Sequence, residues 1–352
     1  MTWFDTDLSQ DQADLVSLVD TVMAKHGAAP EEDASTAARA RKAMADAGLW
    51  TVGVSEDHGG GGAPLALRLT AMAALGQRWA AWAWACAQAH AAAEIFDGRD
   101  DADLWSHIAG ADPVAVVDAA APHVDLEVGG GRIRGSLRRL DPGGDNPHVV
   151  VLVDDSAAWL LPPDSLEHAR RLDRTGMAGA LSISAAVDAA ADDVVVLTNV
   201  PVDEVRARLR LSGAAIAAGI ALEAAKRGAT YARARIQFGA PLTALPTVRA
   251  ALFEQAHKAT DALTLALCTA PTPWRAAAAL AGNCERAISV AASAVQTHGG
   301  YGYLVEYEVE RLLRDAVSLR AATAAAHEAQ FCAARLASRP DALTAHQFGG
   351  LR

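Results

Sequence analysis

Between residue 111 and about residue 200 the hydrophobic pattern of this chain changes period, and afterwards it changes back. Before that stretch, apolar residues recur three and four apart, as in "DQADLVSLVDTVMAKHG" and "STAARARKAMADAGLW", each ending near a glycine, with Gly27 the expected stop of the first. That spacing lines one face of an α-helix. Inside the stretch stand short β-branched runs, "PVAVVDAA", "HVVVLVDD" and "DDVVVLTNV", divided by Gly, Pro and Asp. Such runs are the pattern of an antiparallel β-domain. Within it, "VDLEV-GGG-RIRGSL" reads as a hairpin turning on Gly129, Gly130 and Gly131. From "PVDEVRARLRLSGAAIAAGIALEAA" onward the helical period returns. The expected fold is therefore α+β: an N-terminal helical domain over residues 1–110, a middle antiparallel β-domain over 111–200 and a C-terminal helical bundle over 201–352. Small residues crowd positions 212–225, so this helix is expected to pack closely, at the centre of an oligomer.

Composition removes some classes of function. The formal net charge is −11, and an acidic surface repels a phosphate backbone, so no nucleic-acid partner is expected. Cys86, Cys268, Cys284 and Cys332 are scattered without a CxxC pair, as in a chain kept reduced in the cytoplasm. The acidic start "MTWFDTDLSQDQADL" lacks the basic-then-apolar order of a secretory signal. The apolar run "WAAWAWACAQAHAAAEIF" is interrupted by Gln88 and His90 and ends on Glu94, so it reads as a buried helix and not a membrane span. The four glycines Gly59 to Gly62 miss the GxxxxGK[ST] spacing and follow no strand, which makes them a turn and not a phosphate cradle.

Two late stretches go beyond packing. One is "ARARIQFGAPL", the other "QTHGGYGYLVEYEVERLLRDA". Together with the α-β-α order and the early "EDHGGGGAPLALRLTAMAALG", they resemble the acyl-CoA dehydrogenase family of flavoproteins, over most of the chain. R-x-x-F-G followed by Q-x-x-G-G-x-G-Y and E-R-x-x-R-D-A is the most specific part of the resemblance. It implies an oligomer in which FAD lies between subunits. Arg235 and Phe238 then reach the pyrophosphate and adenine of a neighbour's FAD, with Gln237 beside them, and Gln296, Gly299 and Gly300 lie against its ADP half. The residue types suit those tasks. A guanidinium forks onto phosphate oxygens, an aryl face meets adenine, and glycine lets backbone N–H groups come close. Glu310, Arg311, Arg314 and Asp315 stand at helical spacings and are expected to form structural ion pairs. His298 is expected to be a packing or hydrogen-bonding residue.

The family's reaction is FAD-linked oxidation of an acyl-CoA thioester between its α and β carbons, with a carboxylate removing the α proton. In the resemblance that carboxylate falls on Thr323, where a hydroxyl cannot serve as a base at neutral pH. The family's alternative position, just before an arginine matched here by Arg210, falls on Leu209. Arg210 is then the implied substrate-side residue. The region "VDAAAPHVDLEVGGGRIRGSLRRLDPGGDN" is shortened and lacks the T-E-P…G-S-D loop and the tryptophan that hold the flavin. Residues serving a neighbour's FAD are thus kept while those holding the chain's own are degraded. That combination resembles the base-deficient subunit of α2β2 members of the family, in which a related partner supplies the catalytic Glu. The alternatives are a homo-oligomeric, self-sufficient dehydrogenase using Glu328, His327 or Asp315, a biosynthetic thioester enzyme, or a non-catalytic scaffold.

Overall fold

The structure, a computed structural model, describes residues 8–26, 33–97, 99 and 101–338. Gly27, the expected stop of the first helix, lies outside the described residues. The N-terminal helices are α1 (Gln10–His26), α2 (Ala34–Asp46), α3 (Leu65–Gly76), α4 (Ala80–Phe96) and α5 (Ala102–Ala109). Strands follow: β1 (Val114–Asp118), β2 (Val124–Gly129), β3 (Arg132–Leu140), β4 (His148–Leu152), β5 (Ala157–Leu161), β6 (Leu166–Arg171), β7 (Ile183–Ala190) and β8 (Val195–Thr198). The remainder is α6 (Val202–Ala234), a hairpin of β9 (Ile236–Gln237) and β10 (Ala240–Pro241), α7 (Pro246–Cys268), α8 (Pro273–His298), α9 (Val309–Ala322) and α10 (Ala325–Ser338).

Local chemistry accounts for the element ends. The side chain of Asp33 accepts from the backbone N–H groups of Ser35 and Thr36, capping α2. The β2–β3 hairpin turns on Gly130 and Gly131, both at positive φ, with Gly129 paired to Arg132. A tight hairpin turn needs that conformation, and glycine adopts it without penalty. The glycine loop is equally local. The N–H groups of Gly59, Gly60, Gly61 and Gly62 are taken by the carbonyls of Glu56, Ser55, Thr51 and Val54. With its donors spent on its own backbone, the loop is a turn and leaves no nest for a phosphate.

The strands form two four-stranded sheets, in the orders β1-β4-β5-β8 and β2-β3-β7-β6. Most neighbours are antiparallel, as expected, but β1 and β4 run parallel, with Val116 opposite Val150. The inner faces of the sheets share a core that includes Ile133, Leu137, Val149, Val151 and Leu161. A larger core joins the helices to the outer face of the first sheet and contains the fully buried Trp50, Trp79 and Trp82. Helix α4 is buried along its length apart from Glu94, and no described helix is long and apolar enough to cross a membrane.

Helix α6 corrects one expectation. The small residues of 212–225 do permit close packing, but they spend it inside this chain. Ala214, Ala215, Ala217, Ala218 and Ala221 are fully buried against the chain's own helices. A methyl group on Gly219 would overlap the carbonyl oxygen of Ala73 on α3, and one on Gly76 would stand 2.6 Å from the carbonyl oxygen of Ile216 on α6. The glycines are the contact points of the α3–α6 crossing, so this stripe is not a subunit surface.

Candidate functional site

Two groups of residues matter, and the fold assembles each from distant parts of the chain. The first sits where α6 and α8 end. Arg235 caps α6, its N–H bonded to the carbonyl of Tyr231. The chain then reverses through Phe238 and Gly239, at φ 54° and 80°. Positive φ is costly for a bulky residue, and Phe238 gains no burial in return, being 91% exposed. Gln237 is exposed beside it. The hairpin therefore pushes an aromatic ring outward, off its own chain.

Helix α8 ends similarly. Gln296 is exposed on its last turn, and Gly299 breaks the helix at φ 59° and ψ −138°, a conformation for glycine. A side chain at Gly299 or Gly300 would meet nothing, so the backbone there is bare to solvent. The two segments meet through aromatic rings. The guanidinium of Arg235 lies 5.3 Å from the ring centre of Tyr301. Tyr301 packs at 5.5 Å against Tyr307, which packs edge-on to Tyr231 at 5.8 Å and to His298 at 5.9 Å. His298 stacks on Tyr231 at 4.3 Å, and its Nδ1 lies 2.7 Å from the Ala294 carbonyl oxygen. Arg235, Gln237, Phe238, Gln296, Gly299 and Gly300 thus belong to one end of the helical bundle, with a cation, an exposed aryl face and a stretch of backbone that no side chain covers, its Gly299 N–H given to the Gln296 carbonyl. Those features fit the ADP half of FAD.

The second group lines a cavity of about 80 Å³ between the β-domain and the helices. Leu209, Arg210 and Thr323 all line it, so both positions expected for a carboxylate face one space, and neither carries one. Thr323 Oγ1 donates to the carbonyl of Leu319 at 2.8 Å, closing the end of α9. Arg210 is buried, bonded to the Pro273 carbonyl at 3.3 Å, and burial lowers its pKa to about 10. The remaining walls mix apolar residues, among them Trp84, Val116, Leu140 and Leu280, with paired charges. Asp118 accepts from Arg206 at 2.8 Å. Asp141 accepts from Arg174 and Ser182. Arg139, mostly buried, donates across the cleft to the carbonyl of Ala322 at 3.3 Å. A cavity this size is far below the roughly 300–1,000 Å³ of ligand pockets and has no room for a flat tricyclic ring. The flavin ring does not fit here within one chain.

The cavity also holds a residue that sequence reasoning missed. His123, in the turn between β1 and β2, lines it, and burial together with Arg139 pushes its pKa down to about 4. It is a neutral imidazole at physiological pH. Nothing in "APHVD" marks it, since only tertiary contact brings it to the cleft. Tyr231, Tyr301 and Tyr307 carry no signal of this kind either, although Tyr301 lies within the glycine-rich motif.

The other candidates have structural work. Arg311 pairs with Asp315 at 2.9 Å, and Arg314 with Glu310 at 2.6 Å. Asp315 also accepts from the backbone N–H of Met177 at 2.6 Å, tying α9 to the β-domain. Burial raises its pKa despite Arg311, and it does not line the cavity. His327 is part-buried on α10 and lies near enough to His123 to influence it. The side chain of Glu328 lies outside the described residues.

Comparison with known proteins gives this geometry a context. Residues 206–323 match the family model described as "Acyl-CoA dehydrogenase, C-terminal domain". An acyl-CoA dehydrogenase of Bacillus subtilis is 39% identical over 114 residues, which is 30% of this chain and 30% of that protein. Among solved structures, the butyryl-CoA dehydrogenase of Megasphaera elsdenii superposes with TM-score 0.73 at 19% identity, covering 90% of this chain and 95% of that one. A prolyl acyl carrier protein oxidase superposes with TM-score 0.78 at 16% identity, covering 94% and 99%. The family model matches within the helical bundle, while likeness of fold runs over nearly the whole chain.

Proposed function

We propose that this chain, whose residues 206–323 match the acyl-CoA dehydrogenase C-terminal domain and whose fold is like that of a butyryl-CoA dehydrogenase over nearly all its length, is a subunit of a FAD-linked enzyme that dehydrogenates an acyl-CoA thioester between its α and β carbons. Its share of the site is the surface made by Arg235, Gln237, Phe238, Gln296, Gly299 and Gly300, which takes the ADP half of a FAD held by a neighbouring subunit. When bound, FAD supplies the hydride acceptor. The carboxylate that removes the α proton comes from a related partner in an α2β2 assembly, in a cytoplasm that keeps the chain's cysteines reduced. The observation that carries this reading is the cavity lined by both Leu209 and Thr323, where the two places for a base coincide and hold a leucine and a threonine. Arg210, on the same wall, is the candidate contact for the thioester's acyl side.

The test is reconstitution. The chain alone, given FAD, is expected to show no acyl-CoA dehydrogenase activity. Mixing it with a homologous Glu-bearing subunit restores turnover, and replacing that Glu by Gln abolishes it. Thr323→Ala in this chain leaves the mixed enzyme nearly unchanged, whereas loss of a true general base costs about 10²–10⁴-fold. One observation favours a second reading, a chain with its own proton acceptor acting on a CoA-bound or carrier-bound thioester. His123 is neutral and lines the same cavity. Flavin bleaching by an acyl thioester added to the chain alone, lost in His123→Ala, would decide for it.

A further inference from the structure

We propose that Tyr301 is a positioning residue for Arg235, so that the aromatic stack behind the glycine-rich segment presets the cofactor arginine before any phosphate arrives. The inference rests on the reading of Arg235 as a pyrophosphate contact. Arg235 stands just past the last helical turn of α6 on a long, flexible side chain, and among the described residues no carboxylate forms an ion pair with it. Its guanidinium carbon lies 5.3 Å from the Tyr301 ring centre, within the roughly 6 Å over which an aromatic face attracts a cation. An aromatic face holds a guanidinium in place without neutralising it, so the charge stays available to an anion. Two acid side chains, one on α6 and one just before α9, are engaged elsewhere. Glu308 pairs with Arg227 at 2.6 Å, and Glu223 pairs with Arg227 at 2.8 Å.

Tyr301 can act as a fixed platform because its own turn is fixed. It leaves α8 through a single 3-10 turn, Gly299–Tyr301. A side chain on the next residue, Gly302, would overlap the carbonyl oxygen of Val295, so the turn lies tight on α8. Tyr307 buttresses the ring at 5.5 Å, and Tyr231 and His298 buttress Tyr307. The stack runs from the ends of α6 and α8 outward to the guanidinium. Preorganisation of this kind raises affinity by lowering the entropy lost when a flexible side chain is ordered.

The experiment measures ADP binding to the chain reconstituted with its Glu-bearing partner subunit, by calorimetry, for wild type, Tyr301→Phe, Tyr301→Leu, Arg235→Ala and the Tyr301→Leu/Arg235→Ala double variant. Circular dichroism confirms that each is folded. Tyr301→Phe keeps the aromatic face and is expected to bind ADP as wild type does. Tyr301→Leu is expected to bind about three- to fivefold more weakly, the scale of an exposed cation–π contact. Arg235→Ala loses at least about tenfold, the scale of a charge-assisted phosphate contact. In the double variant the Tyr301 effect vanishes, because Tyr301 acts only through Arg235; a merely structural role would persist there. If Arg235→Ala weakens ADP binding but Tyr301→Leu does not, or if Tyr301→Leu tightens it, the positioning role is overturned while the cofactor reading stands. If wild type shows no saturable ADP binding, or Arg235→Ala changes nothing, the cofactor reading itself fails and the inference with it.

Discussion

Replacing Gly219 by alanine sets two physical effects against each other, and the structure says which wins. In an isolated helix alanine is favoured over glycine by about 1 kcal/mol, since glycine loses more backbone freedom on folding. In this fold the new methyl group would overlap the carbonyl oxygen of Ala73 and come 3.1 Å from the backbone nitrogen of Gln77. Both are main-chain atoms of the α3 end and its cap, and carbon contacts become attractive only near 3.5–4.0 Å. The neighbours cannot yield cheaply, because Ala73, Ala217 and Ala218 are completely buried. Relief requires moving α3 bodily off α6, and overpacking of this kind typically costs about 1–3 kcal/mol, sometimes more. The expected net change is destabilisation by at least about 1 kcal/mol, read as a lower urea midpoint with unchanged slope. Gly282→Ala on α8 is the matched control. There the methyl would meet only Arg286 Nη1 at 2.8 Å, the far end of a flexible side chain. That variant should be neutral or gain up to about 1 kcal/mol. If Gly219→Ala proved as stable as wild type, the close α3–α6 crossing would be wrong.

In the assembled enzyme, Arg235→Ala should lower FAD retention by about 1.5–3 kcal/mol, and Arg235→Lys should recover only part of it, because a point charge lacks the guanidinium fork; equilibrium dialysis of flavin against the variants measures both. His90 is fully buried beside Cys86, and burial, with Arg68, pushes its pKa down to about 3 from 6.5. The unfolded chain therefore binds a proton that the folded chain refuses, so this contribution is complete above pH ~6.5 and falls by about 1.4 kcal/mol per pH unit towards pH ~3. Denaturation midpoints measured from pH 7 to pH 4 should show that slope, reduced in His90→Gln. Asp315→Ala should cost about 3–5 kcal/mol, since it leaves Arg311, itself only 14% exposed, without its carboxylate and orphans the N–H of Met177; a thermal melt that matched wild type would contradict the assigned tie between α9 and the β-domain.

What the sequence determined by itself was whatever local chemistry decides. The change of hydrophobic period places the strands between Val114 and Thr198, because side chains repeat every two residues in a strand and every 3.6 in a helix. Consecutive glycines at 130 and 131 identify the hairpin, and spacings of four identify the Arg311–Asp315 and Glu310–Arg314 pairs. The two late motifs are legible for the same reason, as short runs of distinctive residue types, and the cofactor role read from them is the proposal. Tertiary structure decided the rest. "VAVV" and "HVVVL" look the same in parallel or antiparallel pairing, and only the path of the connecting chain makes β1 and β4 parallel. The small residues of α6 announce close packing without naming the partners, which proved to be α3, α7 and α8 of the same chain. Leu209, Thr323 and His123 share no local pattern, yet the same cavity joins them. Tyr231 reaches Tyr307 and His298 only because α6 and α8 end side by side. Periodicity and turn chemistry act over a few residues and so are written in the sequence. Which surfaces meet depends on how all the buried faces are covered at once, and no single stretch encodes that.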